Sequence, residues 1–356
     1  MNRFRMWFFW IPLIITGSAI FIVSGVLLFF SIMEFRPATI QDEPTCKEGP
    51  ALPPGKTRFT LLTWNVGYGG LGHDMDFFYD GGERVRAPRN RLEYFIQGIS
   101  GLLQEMDSID FILLQEVDIH SRRSFYLDEN HIFSTVLTGC CSLFTCNYDC
   151  LFVPLPLHDP MGRVKSGLLS LMKYKPECVS RYAFDINFPW PKRLFFLKRC
   201  FVPVRYRLLN GKELIIINLH NSAYDLTGKL QKRELEQIGQ FIHTEFLHGN
   251  YIVAGGDWNI SPPGFDPLMV TTGDFTRSIP MEFPSEYYQG WVFAFDASVP
   301  SNRDVAHNYV RRETPTTVID FFLVSPNITV KRVKTFDQQF AFSDHHPVFL
   351  EIQLIE

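Results

Sequence analysis

The feature that most constrains the fold of this 356-residue chain is a series of five short polar motifs, each of which follows an apolar run. The motifs are TWN, QEVD, NLHN, GGDWN and SDHHPV, and they contain Asn65, Glu116, His220, Asp257 and Asp344. The runs are rich in β-branched and aromatic residues, which favour strands. We therefore predict that the motifs lie at strand ends, along one rim of a stack of β-sheets.

Apolar runs and apolar stripes predict strands and helices throughout the chain after residue 57. The predicted strands are 59–64, 111–115, 167–173, 194–209, 214–219, 251–254, 318–324 and 348–352. The Asn210-Gly211 pair between two of these runs is typical of a hairpin turn. Apolar stripes that begin at Leu92 and at Leu230 predict two amphipathic helices that face the core.

Three chemical kinds of side chain occur in the motifs and in the segment VIDFFLVS. The carboxylates are those of Glu116, Asp257, Asp320 and Asp344, the imidazoles those of His220 and His345, and the amides those of Asn65 and Asn259. Carboxylates suit Mg²⁺, Mn²⁺ or Ca²⁺ better than zinc, imidazoles exchange protons near neutral pH, and amides orient ligands without adding charge. Phosphoester hydrolysis requires all three, since a metal stabilises the oxyanion while a base activates water.

A single Asp or Asn after a strand is usually a turn residue. His346, next to His345, is accordingly predicted to be a packing or hydrogen-bonding neighbour of the site. Five such motifs in one chain are better explained by one common site than by five separate turns.

At these residues the chain resembles the endonuclease/exonuclease/phosphatase superfamily, which includes DNase I-like nucleases, AP endonucleases, neutral sphingomyelinases and inositol polyphosphate 5-phosphatases. The resemblance extends from Arg58 to the C-terminus, and GGDWN and SDHHPV are its most specific parts. It implies a four-layer α/β sandwich of two packed mixed sheets flanked by helices. The site would lie at one edge of the two sheets.

The resemblance implies that Asn65 and Glu116 bind a divalent metal ion, to which Asp344 also contributes. The expected cofactor is Mg²⁺, with Mn²⁺ or Ca²⁺ as alternatives. The rest of the chemistry would fall to the other matched residues.

Among these, Asp257 would position or deprotonate the attacking water, and Asn259 would hold a phosphate oxygen. His345 would pair with Asp320, and His220 would contact the phosphoryl group. Members of the AP endonuclease branch resemble one another in having a tyrosine where His220 stands. The histidine therefore favours the sphingomyelinase, DNase I and phosphatase branches over DNA repair.

This chain departs from the family pattern beside that histidine. The family often has Thr-x-His-Leu where this chain has the sequence NLHN at positions 218–221. The role of His220 is therefore expected to be kept, while the departure leaves the local hydrogen bonding of its neighbours open.

A long apolar segment precedes this domain. Residues 6–33 carry no charge, and a helix of that length exceeds the roughly 30 Å hydrocarbon core of a bilayer. Arg3 and Arg5 precede it, so the positive-inside rule assigns the tail 1–5 to the cytoplasm and the catalytic domain to the other side. A cleaved signal peptide is the alternative, disfavoured by the length of the run and by the lack of a clear A-x-A-like cleavage site.

Residues 34–57 contain five prolines and no apolar period. They are predicted to form a Pro-rich extended tether between the transmembrane helix 6–33 and the catalytic domain 58–356. Such a tether would keep the enzyme within a few nanometres of the bilayer.

The chain has seven cysteines, of which Cys140, Cys141, Cys146 and Cys150 are close together. Outside the cytoplasm they could form one or two disulfides, with three pairings possible when all four pair. A zinc site is the alternative, disfavoured because paired C-x-x-C units are absent.

Gly67, Gly69 and Gly72 spell the dinucleotide-binding pattern G-x-G-x-x-G. A long helix is not predicted directly after them, so we interpret them as a loop that bends closely over the active site.

A formal net charge of −4 provides no global basic field for nucleic acid, which disfavours DNA or RNA as a partner. The basic and aromatic stretch 190–199 could bind lipid phosphates or could be an ordinary strand edge. We therefore predict a metal-dependent phosphodiesterase acting on a phospholipid or sphingomyelin-like substrate in the membrane. A membrane-tethered nuclease, an inositol phosphate phosphatase and a non-enzymatic binding module are the alternatives, and the oligomeric state stays open.

Overall fold

The computed structural model describes residues 3–46, 49–137, 139–223, 225, 227–266 and 283–355. The helices in these ranges are α1 (Arg3–Ile32), α2 (Arg89–Glu105), α3 (Glu129–Val136), α4 (Lys229–Leu247) and α5 (Ser285–Tyr288). The strands are β1 (Ile40–Asp42), β2 (Arg58–Asn65), β3 (Phe111–Asp118), β4 (Cys141–Val153), β5 (Gly162–Met172), β6 (Cys178–Ala183), β7 (Cys200–Arg207), β8 (Glu213–His220), β9 (Tyr251–Asp257), β10 (Val292–Ala294), β11 (Asn302–Arg303), β12 (Thr316–Thr317), β13 (Asp320–Val324), β14 (Ile328–Thr335) and β15 (Val348–Leu354).

Two mixed sheets pack face to face. One has seven strands in the order β1-β6-β7-β8-β9-β13-β10, and the other has six in the order β14-β15-β2-β3-β5-β4. Alternate residues of a strand point to opposite faces. Leu61 of β2 therefore packs between the sheets, whereas Leu62 packs with α2 and α3 on the outer face.

The outer face of the seven-stranded sheet is covered by α4 and α5, where Leu235, Ile238 and Ile242 are buried. The predicted four-layer sandwich is therefore confirmed. The two amphipathic helices that begin near Leu92 and Leu230 are α2 and α4, and their apolar stripes face the core as predicted.

Parallel pairing brings the motifs to one rim. The pairs β2–β3 and β8–β9 are parallel, and α2 and α4 connect their members. Strands β13 and β15 run antiparallel to β9 and β2, and Asp320 pairs in register with Asp257. The carboxyl ends of β2, β3, β8 and β9 and the amino ends of β13 and β15 therefore meet at the same edge.

Several predicted elements differ from the structure. The predicted strand 194–209 begins only at Cys200, because the Lys192–Phe195 segment forms a short 3₁₀ turn. Strand β4 is missing from the prediction because its cysteines and polar residues were assigned to a loop. Strand β14 is an edge strand with little burial, so its apolar alternation is weak.

The N-terminal helix α1 ends at Ile32, and its segment Trp10–Ile32 is long and apolar enough to cross a membrane. Within the predicted tether 34–57, the residues that the structure describes contact the two-sheet domain. Strand β1 pairs with β6, and Lys56 Nζ lies 3.0 Å from Asp110 Oδ1.

The disulfide also differs from the predicted pairing within the Cys140 to Cys150 cluster. Cys141 pairs with Cys46 of the segment 34–57, at a Cα–Cα distance of 5.6 Å. Cys141, Cys146 and Cys150 lie on one extended strand, and a rise of about 3.3 Å per residue separates them too widely to pair.

Candidate active site

The eight predicted site residues converge on a cleft of about 580 Å³ at the shared rim. Six of them line it, and these are Glu116, His220, Asp257, Asn259, Asp344 and His345. Asn65 and Asp320 are buried, and each contacts a lining residue directly. Residues far apart in the sequence thus form one polar cluster.

Asn65 joins two of the carboxylates. Its Nδ2 donates to Asp257 Oδ2 at 3.0 Å and to Glu116 Oε1 at 3.4 Å, while its Oδ1 accepts from the Gly67 amide at 3.0 Å. In this arrangement Asn65 presents its nitrogen to Glu116. Its predicted role as a metal ligand stays a prediction, because an oxygen facing the metal would require a different amide orientation.

Glu116 enters the cleft through a bulge in β3. The register between β3 and β5 shifts between Leu114 and Val117, and Glu116 has a left-handed backbone with φ of 57°. A bulge redirects a side chain from the pleat of its strand. Glu116 is therefore one-quarter exposed on the cleft side, although its strand is otherwise buried.

Asp344 is buried opposite Glu116. The pKa of Asp344 is raised to about 7, chiefly by burial, while the charge of His345 lowers it and the negative charge of Glu116 raises it. Gly67 approaches it closely, since a Cβ there would lie 2.7 Å from Asp344 Oδ1 and φ is +53°. The interpretation of the glycine loop as one that bends over the site is confirmed at this position.

His345 and Asp320 form the predicted pair. The His345 Nδ1 lies 2.7 Å from Asp320 Oδ2, which also accepts from Ser301 Oγ at 2.8 Å. Burial alone would lower the pKa of His345, but the nearby carboxylates of Asp320, Asp344 and Asp257 raise it to about 10. The pair can therefore hold a protonated imidazole in a fixed orientation.

The indole of Trp64 holds the backbone of this region, because its Nε1 donates to the His345 carbonyl at 2.9 Å. The neighbouring His346 stacks on Phe340 and accepts from the Phe340 amide at 3.1 Å. Its prediction as a packing and hydrogen-bonding neighbour is confirmed.

Both histidines face Asp257. The Asp257 Oδ2 lies 3.4 Å from His220 Nε2 and 3.8 Å from His345 Nε2. Burial raises the pKa of Asp257 to about 6, whereas burial and the charge of Arg199 lower the pKa of His220 well below its usual value. The pKa values of the two imidazoles are therefore shifted in opposite directions on the two sides of one carboxylate.

Asn259 follows Asp257 in a left-handed conformation with φ of 53°. Its amide N–H donates to Asp257 Oδ1 at 2.9 Å, and its Nδ2 donates to the Asn221 carbonyl at 2.9 Å. These bonds fix the side chain at the cleft wall. Its contact with a phosphate oxygen stays a prediction.

Two groupings could hold a cation. The ligand atoms of Asp257, Asp320 and His345 lie within 4.8 Å of one another, whereas the predicted set is Glu116 with Asp344 and Asn65. We favour the predicted set, because the Asp320–His345 hydrogen bond already satisfies two atoms of the first grouping. The predicted set also offers two acidic groups whose mutual repulsion a hard cation would relieve.

Sequence reasoning missed three residues at the site. Asn302 Nδ2 lies 3.0 Å from His345 Nε2. Arg123 pairs with Asp118 through two 2.9 Å hydrogen bonds beside the cleft. Arg199 donates to the His220 carbonyl at 3.4 Å. Arg199 belongs to the basic stretch already noted. Asn302 and Arg123 follow no apolar run, so the pattern that found the other residues does not extend to them.

Glu234 supports the loop after His220 and provides a test by pH. It accepts hydrogen bonds from Ser222 N at 2.8 Å and Ser222 Oγ at 2.5 Å, and burial raises its pKa to about 7. A raised carboxyl pKa favours folding below the unfolded pKa of 4.5, and this stability is lost as pH rises through 7.

Relative to Glu234→Gln, the wild-type chain should therefore lose about 3 kcal/mol of unfolding free energy between about pH 5 and about pH 8. Denaturation of the detergent-solubilised chain at the two pH values measures this difference, and Glu236→Gln on the same helix is the control. Parallel pH dependence of wild type and Glu234→Gln would contradict the expectation.

Comparison with known proteins agrees with this geometry. The model of the Endonuclease/Exonuclease/phosphatase family matches residues 62–345. No curated protein sequence matches the chain.

Several solved structures share the fold. An endonuclease/exonuclease/phosphatase from Beutenbergia cavernae has a TM-score of 0.56 at 14% identity, with 84% of this chain and 72% of that chain covered. The corresponding protein from Bacteroides vulgatus has a TM-score of 0.52 at 16% identity, with 84% and 100% covered. Truncated Caenorhabditis elegans TDP2 has a TM-score of 0.50 at 12% identity, with 83% and 97% covered.

Proposed function

Since the chain belongs to the endonuclease/exonuclease/phosphatase family, whose members are phosphoester hydrolases, we propose that it is a divalent-metal-dependent phosphodiesterase acting on a membrane lipid. The observation that carries the proposal is the Asp257 carboxylate between two imidazoles at the floor of a cleft. The expected metal is Mg²⁺.

The residues would divide the reaction among them. Asp257, held by Asn65 and by the Asn259 amide, would orient a water molecule and accept its proton. His345, oriented by Asp320, and His220 would hold the phosphoryl oxygens, and Asn302 lies beside His345 Nε2.

Glu116 and Asp344, with Asn65 beside them, would hold the cation. When bound, the cation would stabilise the negative charge that develops on the phosphoryl oxygens. The carboxylate oxygens of Glu116 and Asp344 fit a hard ion, and the set contains no sulfur ligand.

The lining of the cleft supports a lipid substrate. Beyond the polar floor, its walls contain the apolar and aromatic side chains of Leu71, Phe77, Tyr79, Met161, Phe195 and Phe196. A phosphodiester with apolar substituents suits such walls, and the apolar helix α1 would keep the domain beside lipids. A nuclease is the second candidate, favoured by the basic side chains of Arg123, Lys192 and Arg199 in the same cleft.

A substrate panel tests the proposal. The full chain in detergent micelles should be assayed on sphingomyelin, phosphatidylcholine, DNA and phosphorylated inositols, each with Mg²⁺ or EDTA at one salt concentration. We expect kcat/KM for a lipid to exceed that for DNA by about tenfold or more, since DNA binding requires several phosphate contacts. If DNA is preferred by tenfold, the nuclease replaces the lipid phosphodiesterase.

We further propose that α1 spans a membrane once, with the tail 1–5 in the cytoplasm and the domain outside. The Cys46–Cys141 disulfide supports this orientation, because disulfides persist in oxidising compartments. In intact cells, externally added protease should degrade the domain and leave an N-terminal tag protected. Protection of the domain until the cells are permeabilised would reverse the orientation.

A further inference from the structure

We propose that two neighbouring loops form a membrane-contact surface. This surface places the opening of the cleft against the bilayer that α1 spans. This surface, called here the interfacial edge, consists of the β4–β5 hairpin tip, residues 151–157, and the loop 188–197. The inference rests on the proposed membrane span of α1 and deepens it. It predicts that the lipid substrate enters directly from that bilayer.

The loop 188–197 contacts the last turn of α1. Trp190 Nε1 donates to Ser31 Oγ at 3.2 Å, and the rings of Phe195 and Phe30 lie 5.1 Å apart. A spanning helix leaves the hydrocarbon near its end, so a tryptophan bonded there lies at the level of the headgroups. Tryptophan is enriched at that level because its ring is apolar and its N–H is polar.

An ion-pair cluster makes this placement rigid. Glu34, just after α1, lies 2.8 Å from Lys198 Nζ and 3.4 Å from Arg193 Nε, and its side chain is only 4% exposed. The β1–β6 pairing and the Cys46–Cys141 disulfide hold the following residues. These contacts therefore hold the end of α1 against the domain.

The β4–β5 hairpin lies beside this loop. Tyr148 Oη donates to the Phe195 carbonyl at 2.6 Å, and Cys150 Sγ contacts the Leu194 carbonyl at 3.6 Å. From there the chain continues into residues 151–157, which carry no charge. The hairpin tip therefore extends from the same end of the domain as the loop.

The interfacial edge exposes large apolar side chains to its surroundings. Leu157 is 83% exposed, Trp190 is 52% exposed, and Leu151, Phe152 and Leu155 are also exposed. Large exposed apolar side chains on two segments that contact each other mark an interaction site. Its continuity with the apolar helix commits the partner to the bilayer, and Lys192 between the Phe188 and Phe196 rings adds a cation for lipid phosphates.

The other side of the same loop lines the cleft. Lys192, Phe195, Phe196 and Leu197 all form part of its wall, and Phe195 contacts both α1 and the cleft. A lipid headgroup could therefore pass from the interface into the site along this loop. Hydrolysis would be confined to the membrane in which the chain is anchored.

The test uses the full chain reconstituted in phosphatidylcholine vesicles. The variants are Phe152→Asp/Leu157→Asp and Trp190→Phe, and the control is Leu209→Asp, a 77% exposed leucine in the β7–β8 turn at the opposite end of the sheet. Three quantities are measured: hydrolysis of a labelled lipid in the same vesicles, hydrolysis of the soluble diester bis(p-nitrophenyl) phosphate, and quenching of tryptophan fluorescence by brominated lipids.

We expect the double aspartate variant to lose about tenfold or more of its lipid hydrolysis, because two charged groups replace apolar contacts with the bilayer. Hydrolysis of the soluble diester should stay within about twofold, which shows that the variant is folded. Leu209→Asp should change neither activity. Brominated lipids should quench wild-type fluorescence more than that of Trp190→Phe.

Unchanged lipid hydrolysis in the double variant, or equal quenching with and without Trp190, would overturn the interfacial edge while leaving the proposed activity standing. If Trp190 is quenched but wild type hydrolyses only DNA, the interfacial edge stands and the lipid substrate is wrong.

Discussion

Glu116→Gln should abolish most hydrolysis, with a loss on the order of 10³-fold at low Mg²⁺ and little change in unfolding. Glutamine keeps the shape of the side chain but removes the charge that would hold a hard cation. Glu116 is also partly exposed at a bulge, so the fold does not depend on burying it. The measurement is the steady-state rate at a series of Mg²⁺ concentrations.

The matched control is Glu93→Gln, an exposed glutamate on α2 that pairs with Arg89. It should keep wild-type activity, because its carboxylate is remote from the rim. High Mg²⁺ should restore part of the activity of Glu116→Gln by mass action. Full activity of that variant at low Mg²⁺ would exclude Glu116 as a metal ligand.

His345→Ala and Asp320→Ala should each lower kcat by about 10²- to 10⁴-fold, and the double variant should be little worse than the more damaged single variant. The reason is the 2.7 Å bond between His345 Nδ1 and Asp320 Oδ2, through which the carboxylate holds the imidazole in place. Residues that act as one unit give losses that do not multiply. A double-mutant cycle on kcat measures the coupling.

The same variants discriminate between the two cation groupings. If Asp320 and His345 serve as an acid–base pair, their alanine variants should reach half-maximal rate at the wild-type Mg²⁺ concentration. If instead they bind the cation with Asp257, the required Mg²⁺ concentration should rise together with the loss of rate. Fully multiplicative losses in the cycle would show that the two residues act independently.

Much of the rim could be predicted from the sequence because its residues follow buried strands. The apolar run before Asn65 forms β2, the run before His220 forms β8, and the run before Asp257 forms β9. A strand with apolar residues on both faces must lie inside a packed sheet, and a polar residue directly after it must lie at the rim. The positions of these groups follow from local pattern.

Contacts between distant segments could not be predicted in this way. Asn302 reaches His345 through the short β11 strand, which has two residues and no apolar period. The segment 34–57 has five prolines and no apolar period, so its sequence predicts only an extended tether. Its three-residue strand β1 pairs because the edge of β6 accepts it, which depends on where β6 lies.

The sequence by itself determined the chemical groups of the site, the apolar helix at the N-terminus and the sheets that carry the motifs, since all three depend on short-range order along the chain. The tertiary structure decided which cysteines pair, over 95 residues, and that Glu34 meets Lys198, over 164 residues. Such contacts depend on the relative positions of whole elements, which no periodic pattern encodes. For the same reason, only the fold brings the loop 188–197 to both the end of α1 and the wall of the cleft.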